Sequence, residues 1–128
     1  MTNETAPMDP KHAAAMYMAA WDEPDENARR AILDEVWVSD GVYVDPLGRA
    51  DGREGLVQHI AGYQQQFAGH TMEPTTGVDA HDGYLRFSWH MLDPDGNEVM
   101  EGVDFGSYDD NGRITLIVGF FGPWPDLA

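Results

Sequence analysis

Cysteine is absent from the chain, which excludes disulfides, thiolate nucleophiles and cysteine-held metals. The absence fits a reducing compartment, and a cytoplasmic location is the expectation. Basic residues are almost as scarce: Lys11 is the sole lysine, and Lys and Arg together number 7 against 23 Asp and Glu, for a net charge of -16. Such a surface cannot replace the counterions of a nucleic-acid backbone or of an anionic membrane, so neither is an expected partner. Two readings fit the Asp-rich, Lys-poor balance: adaptation to high salt, where like charges are screened over a few ångströms, or an acidic solubility coat. Long hydrophobic runs are missing too. The longest, Ile114 to Phe121, is interrupted by Thr115 and Gly119 and is far too short to span a bilayer. Residues Met1 to Pro10 are polar and lack the apolar stretch of a signal peptide, so a soluble protein with a loose start is the expectation.

Chemical motifs are equally sparse. There is no HExxH and no close cluster of metal ligands, so no metal is expected. Nothing resembles a phosphate-binding glycine loop, and Ser39, Ser88 and Ser107 have no nucleophile-elbow context.

What is present is enough for one core: 128 residues, 42% of them hydrophobic, read as a single domain over 1–128 without internal repeats. Asp9 can cap a first helix with Pro10 at its first position, followed by Ala13, Met16, Tyr17, Ala20 and Trp21 at helical spacing, and Pro24 stops it. A second helix, capped near Asp25, carries Ala28, Ile32, Leu33, Val36 and Trp37 on one face until Ser39-Asp40-Gly41. A short strand, Val42 to Asp45, and a loop, Pro46 to Asp51, precede a third helix with Leu56, Val57, Ile60, Tyr63 and Phe67 on one stripe. From Thr71 the period switches to two. Turn signals at Asp82-Gly83, Asp93-Pro94-Asp95-Gly96 and Asp110-Asn111-Gly112 separate four strand candidates, which predicts an antiparallel meander. In Tyr84 to Leu92, for example, Leu85, Phe87, Trp89 and Met91 alternate with polar neighbours and mark a core face. Helices on one side of such a sheet define an α+β fold, and a curved sheet leaves a cavity between the layers.

Two carboxylates stand out against this pattern, because Asp45 in Tyr43-Val44-Asp45-Pro46-Leu47-Gly48 and Asp104 in Gly102-Val103-Asp104-Phe105 each interrupt an apolar strand. Burial penalises a charged carboxylate unless it is neutralised, paired or used, so the pair points to acid/base chemistry on a small molecule. Strand parity places Asp104 with Met100, Gly102, Gly106 and Tyr108, and a four-residue loop places it opposite Ile117, on a face shared with Gly119 and Phe121. Glycines on that face are expected to leave room, and desolvation is expected to keep Asp104 protonated. Tyr43 shares parity with Asp45 and is expected to line the same space.

These residues resemble the ketosteroid isomerases, within the nuclear transport factor two-like superfamily that includes the SnoaL-like polyketide cyclases. The resemblance runs from about Asp9 to Phe121 and is strongest in Val44-Asp45-Pro46-Leu47-Gly48 with Gly52-Arg53-Glu54, and in Val103-Asp104 with Gly112-Arg113-Ile114. It implies a cone-shaped, curved antiparallel sheet wrapped on three helices, a cystatin-like roll, and a homodimer formed through the outer sheet face. It also implies roles. Asp45 would be the general base moving a proton beside a ketone, while Asp104 and Tyr17 would donate hydrogen bonds to the developing enolate, with no cofactor. Where isomerases with an extended tyrosine network carry further tyrosines, this chain has Trp37 and Ile60, with Tyr63 one turn later. The resulting pocket set is Tyr43, Trp37, Ile60, Tyr63, Met100, Ile117 and Phe121, suited to an apolar small-molecule ligand or substrate.

Plainer roles exist for the same residues. An aspartate before a proline commonly starts a turn, and a tyrosine in an amphipathic stripe is often core. His59, His70, His81 and His90 read as polar surface or dimer contacts, and Trp89 and Phe121 as core. A non-catalytic small-molecule binding domain and a protein-interaction module are the competing classes. Dehydratase or epoxide hydrolase chemistry lacks its Asp-Arg-Asp or paired-histidine arrangement.

Overall fold

In the computed structural model, which describes residues 7–128, aspartates start the first two helices. Asp9 accepts a hydrogen bond from the Lys11 amide at 2.9 Å ahead of α1 (Pro10–Ala20), and Asp25 accepts one from the Ala28 amide at 2.8 Å ahead of α2 (Glu26–Val36). Each carboxylate satisfies an amide left without a partner in the first turn. The expected loose start, residues 1–6, lies outside the described residues.

The second helix is shorter than expected. It ends at Val36, and β1 (Trp37–Asp45) begins at once, since Trp37 is already extended with φ -118° and ψ 123°. The strand starts early because residues 38–41 bulge. Trp37 pairs with Ile114 and Val42 with Leu116, so the extra residues loop outward, and a Cβ on Gly41 would stand 2.6 Å from the Trp37 indole nitrogen. Only glycine lets that indole fold under its own strand. The expected loop at Pro46–Asp51 also contains a strand, β2 (Gly48–Asp51), which returns antiparallel along β1 with Asp45 opposite Gly48.

After α3 (Gly52–Gln66) come β3 (Thr71–Pro74), β4 (Asp79–His81), β5 (Tyr84–Leu92), β6 (Glu98–Tyr108) and β7 (Ile114–Phe121). The first strand candidate of the meander is thus two strands, both paired with β5 and separated by a segment containing Gly77. The sheet is seven-stranded, open and curved, in the order β2-β1-β7-β6-β5-β3. It is mixed rather than wholly antiparallel, because β1 runs parallel to β7. That pairing joins the N-terminal half to the C-terminal meander, a long-range contact for which hairpin signals carry no information.

The register between β6 and β7 also differs from the simple count. Asp104 pairs with Gly119 rather than with Ile117: Tyr108 lies opposite Ile114, one residue beyond where a four-residue loop would put it, and a one-residue irregularity between Ser107 and Tyr108 adds the second. Parity survives the shift, and the irregularity lets both Ile114 and Ile117 point inward, each fully buried. They join Tyr17, Leu33, Trp37, Leu56 and Ile60 in the core between helices and sheet. No helix among the described residues is long and apolar enough to cross a membrane.

Candidate active site

Between α3 and the open end of the sheet lies a cavity of about 340 Å³, at the lower end of the range of small-molecule sites. Its polar groups converge from two elements. From β1 come Tyr43 and Asp45, and from α3 come Gln58, His59, Tyr63 and Gln66. Leu56, Val57 and Ile60 turn into the core and so leave the adjacent face of α3, with His59 and Tyr63 one turn apart, toward the cavity. The start of α3 is held by Arg53, whose guanidinium donates to the Trp37 carbonyl at 2.7 and 2.9 Å, and by Glu54, paired with Arg30 at 2.8 Å.

Asp45 is tightly engaged. Its Oδ1 accepts from the amides of Leu47 and Gly48 at 2.8 and 3.0 Å, the geometry of an Asx turn, and its Oδ2 accepts from the Tyr43 hydroxyl at 2.7 Å. His59 Nε2 stands 3.9 Å from the same Oδ2. Burial raises the pKa of this carboxyl, but His59, Tyr43 and the Leu47 amide together outweigh it and hold the group below its ordinary value. Asp45 is therefore ionised at neutral pH. The Tyr43 phenol is pushed up, first by burial and then by the charges of Asp104 and Asp45, so it remains a donor.

Asp104 has the opposite electrostatics. It is 4% exposed, and its Oδ1 accepts from the Trp89 indole N–H at 3.0 Å. Burial raises its pKa to about 7, Trp89 and Tyr17 pull it down and Asp45 pushes it further up. The two aspartates approach Gly119, where a Cβ would stand 3.2 Å from Asp104 Oδ1, 3.4 Å from Asp45 Cβ and 3.6 Å from the Tyr43 hydroxyl.

The residues named from sequence separate into two sets. Asp45, Tyr43, Tyr63, Met100 and Phe121 are on the cavity wall. Asp104 and Tyr17 lie one layer deeper, Asp104 behind Trp89 and Tyr17 stacked 5.5 Å from Trp37 at 15°. Trp37, Ile60 and Ile117 do not reach the cavity: all three are fully buried in the core. Trp37 is there because β1 starts at it, and Ile60 because it points away from the His59 face of α3. The room expected above the inward glycines is occupied. Trp89 lies over Gly102 and Ile117 over Gly106, so small residues on this sheet make seats for large ones.

Of the wall residues that the sequence did not place in the pocket, Trp21, His59 and Trp89 shape the site most. Trp21 touches Tyr43, His59 and Tyr63 with ring centroids 5.3 to 6.0 Å apart, so it organises the site from α1. His59 was legible only as the edge of an apolar stripe, three residues after Leu56 and four before Tyr63. Trp89 was legible as a large inward residue, but only the β5–β6 register puts it opposite Gly102 and within reach of Asp104. Among the described residues no group of three or more His, Asp or Glu is placed to hold a metal ion.

No protein-family model matches the chain, and no curated protein matches it. Solved structures do. A candidate isomerase of the SnoaL-like family from Agrobacterium tumefaciens superposes with a TM-score of 0.83 at 36% identity, over 88% of this chain and 96% of that one. A candidate polyketide cyclase from Sinorhizobium meliloti follows with a TM-score of 0.66 at 17% identity, over 84% of this chain and 93% of that one. A cystatin-like fold protein of unknown function from Methylobium petroleophilum has a TM-score of 0.72 at 16% identity, over 91% and 78% of the two chains. The last two carry the fold alone. At 36% identity to the Agrobacterium protein over most of both chains, this chain belongs to the SnoaL-like family.

Proposed function

We propose that this protein is an enzyme that removes a proton from the carbon beside a carbonyl group of a small, largely apolar compound, as an isomerase or cyclase does. One observation carries the reading: an aspartate held ionised and an aspartate with a pKa raised to about 7 both flank Gly119 beside a cavity. Enolisation needs both partners. A basic group takes the proton while a neutral donor stabilises the charge that builds on the carbonyl oxygen, and each supplies a few powers of ten in rate. The basic end is built on Asp45. Asp104, while protonated, is the donor for the oxyanion, reached by a substrate oxygen entering between Tyr43 and Trp89. Tyr17 acts through Asp104 from the core and does not touch substrate. The chemistry uses only protein groups and requires no cofactor.

Met72, Met91, Met100, Phe67 and Phe121 supply the apolar walls, which favours a ligand with one carbonyl and little other polarity. Similarity to a candidate isomerase of the same family is consistent with the reading. The test is hydrogen–deuterium exchange beside the carbonyl, followed by NMR in deuterated water, over cyclic ketones and a β,γ-unsaturated ketosteroid whose isomerisation is also seen by absorbance. Catalysed exchange that is lost in Asp104→Ala supports the assignment. Binding of the same ketones with no exchange would make this a non-catalytic binding domain.

A further inference from the structure

Most of the acceptor capacity of Asp45 is committed, and what remains on Oδ2 faces His59. Two amides occupy Oδ1, the Tyr43 hydroxyl occupies Oδ2, and the side chain is only 8% exposed. Hydrogen bonds of this kind favour the charged form and make the carboxylate a weak proton acceptor. The neighbouring imidazole differs in each respect. His59 is on the cavity wall with 25% of its side chain exposed, and its ring sits against Tyr43 at 5.2 Å and edge-on to Trp21 at 6.0 Å. Its Nε2 faces Asp45 Oδ2 at 3.9 Å, and neither ring nitrogen has a hydrogen bond among the described residues.

From this geometry we infer that His59, and not Asp45, is the group that takes the proton from the substrate carbon, with Asp45 as its positioning residue. The inference rests on the enolising reading above and assigns its base. Asp45 holds the proton of a neutral His59 on Nε2, which leaves the Nδ1 lone pair as acceptor. The substrate C–H bond breaks, its proton passes to Nδ1, and its electron pair moves to the carbonyl oxygen, giving an enolate and an imidazolium. The ionised Asp45 stabilises that imidazolium, and the proton returns from Nδ1 to a carbon of the enolate. A carboxylate orienting an imidazole while the imidazole moves the proton is a general solution to base catalysis near neutrality. The titratable groups facing His59 are Asp45 and Tyr43 from β1, while α1 contributes only the Trp21 ring.

The pH dependence of exchange in wild type, His59→Gln and Asp45→Asn separates the two bases. An imidazole base must be neutral, so on the acid side of the Asp104 limb, from about pH 7 down to pH 5, the rate should fall with acidification. A carboxylate held below its ordinary pKa would keep the rate flat over that range. His59→Gln should lose about a hundredfold or more in kcat. Asp45→Asn should lower kcat while leaving KM within about twofold, since it changes the base and not the apolar walls. A flat acid limb in wild type, or His59→Gln within about threefold of wild type, would overturn the assignment. Nitrogen-15 NMR of the wild-type protein is an independent check that needs no variant. It should show the Nε2-protonated tautomer of His59, and an Nδ1-protonated tautomer would sink the proposal even in an active enzyme. If wild type exchanges none of the ketones, the enolising reading falls and the proton-transfer role of His59 falls with it. If wild type is active with His59 dispensable, only the base assignment fails.

Discussion

Asp104 and Asp45 approach the same backbone position, Gly119, from the two strands that flank β7, with Asp104 directly opposite it across the β6–β7 ladder. The missing side chain is what lets them share a site. A methyl group at Gly119 would lie 3.2 Å from Asp104 Oδ1 and 3.4 Å from Asp45 Cβ, closer than a packed neighbour tolerates on the Asp104 side. Gly119→Ala should therefore cost about 1–3 kcal/mol, read as a lower urea midpoint with an unchanged slope. It should also abolish exchange at ketone carbons, because the substituent occupies the space between the two carboxyls.

Asp104 makes stability depend on pH in the direction opposite to most carboxylates. Its pKa rises from the ordinary 3.8 in the unfolded chain to about 7 in the folded one, so between these values the folded state binds more protons. Stability then falls as pH rises from about 4 to 7, by up to about 4 kcal/mol in total. Asp104→Asn should remove this slope and be more stable than wild type at pH 8, checked by urea unfolding at several pH values. Enzymatic exchange should show the same group as a high-pH limb, because the ionised carboxylate cannot donate; the limb should vanish in Asp104→Asn.

Trp89 supplies the hydrogen bond that pulls Asp104 downward. Trp89→Phe removes that N–H and should move the pH dependence of stability to higher pH, since hydrogen bonding to the charged form is lost while burial stays. The loss of one buried hydrogen bond should itself cost about 1–2 kcal/mol. Tryptophan fluorescence against pH, compared between wild type and Asp104→Asn, gives a direct view of the pair.

Among the described residues Arg29 is the other buried charged side chain, 2% exposed and without a carboxylate partner there. Its guanidinium donates to the carbonyls of Glu23, Pro24 and Val57 and to Gln64 Oε1, and Gln64 in turn donates to the carbonyls of Trp21 and Glu23. The network ties the α1–α2 connection to α3. Arg29→Ala should cost about 3 kcal/mol or more by leaving those oxygens unpartnered, with a lower melting temperature as readout. Trp21 borders the cavity beside this connection, so the same variant should weaken ketone binding without removing a group that touches the ligand.

Local signals in the chain were sufficient for the helix starts at Asp9 and Asp25, the amphipathic stripe of α3, the alternation of β5 and the turns of the last strands. Each of these depends on residues a few positions apart, whose capping, periodicity or turn chemistry acts before the chain is folded. The parity that turns Asp104 inward was legible for the same reason, and it survived because the one-residue displacements at the loop and at the strand irregularity add to an even number. Whether Trp37, Ile60 and Ile117 face cavity or core was not legible, since a buried stripe looks the same in sequence whichever layer it meets.

Burial pattern and turn chemistry are local, and they alone specify an α+β domain of three helices and a strand-rich C-terminal half with two misplaced carboxylates. The parallel pairing of β1 with β7, the convergence of Asp45 and Asp104 on Gly119, and the placing of His59 beside Asp45 on the cavity wall arise only in the folded packing. Those relationships join residues 14 to 77 positions apart. They are set by packing and strand pairing across the whole chain, and a carboxylate's environment, hence its protonation, exists only once that packing is complete.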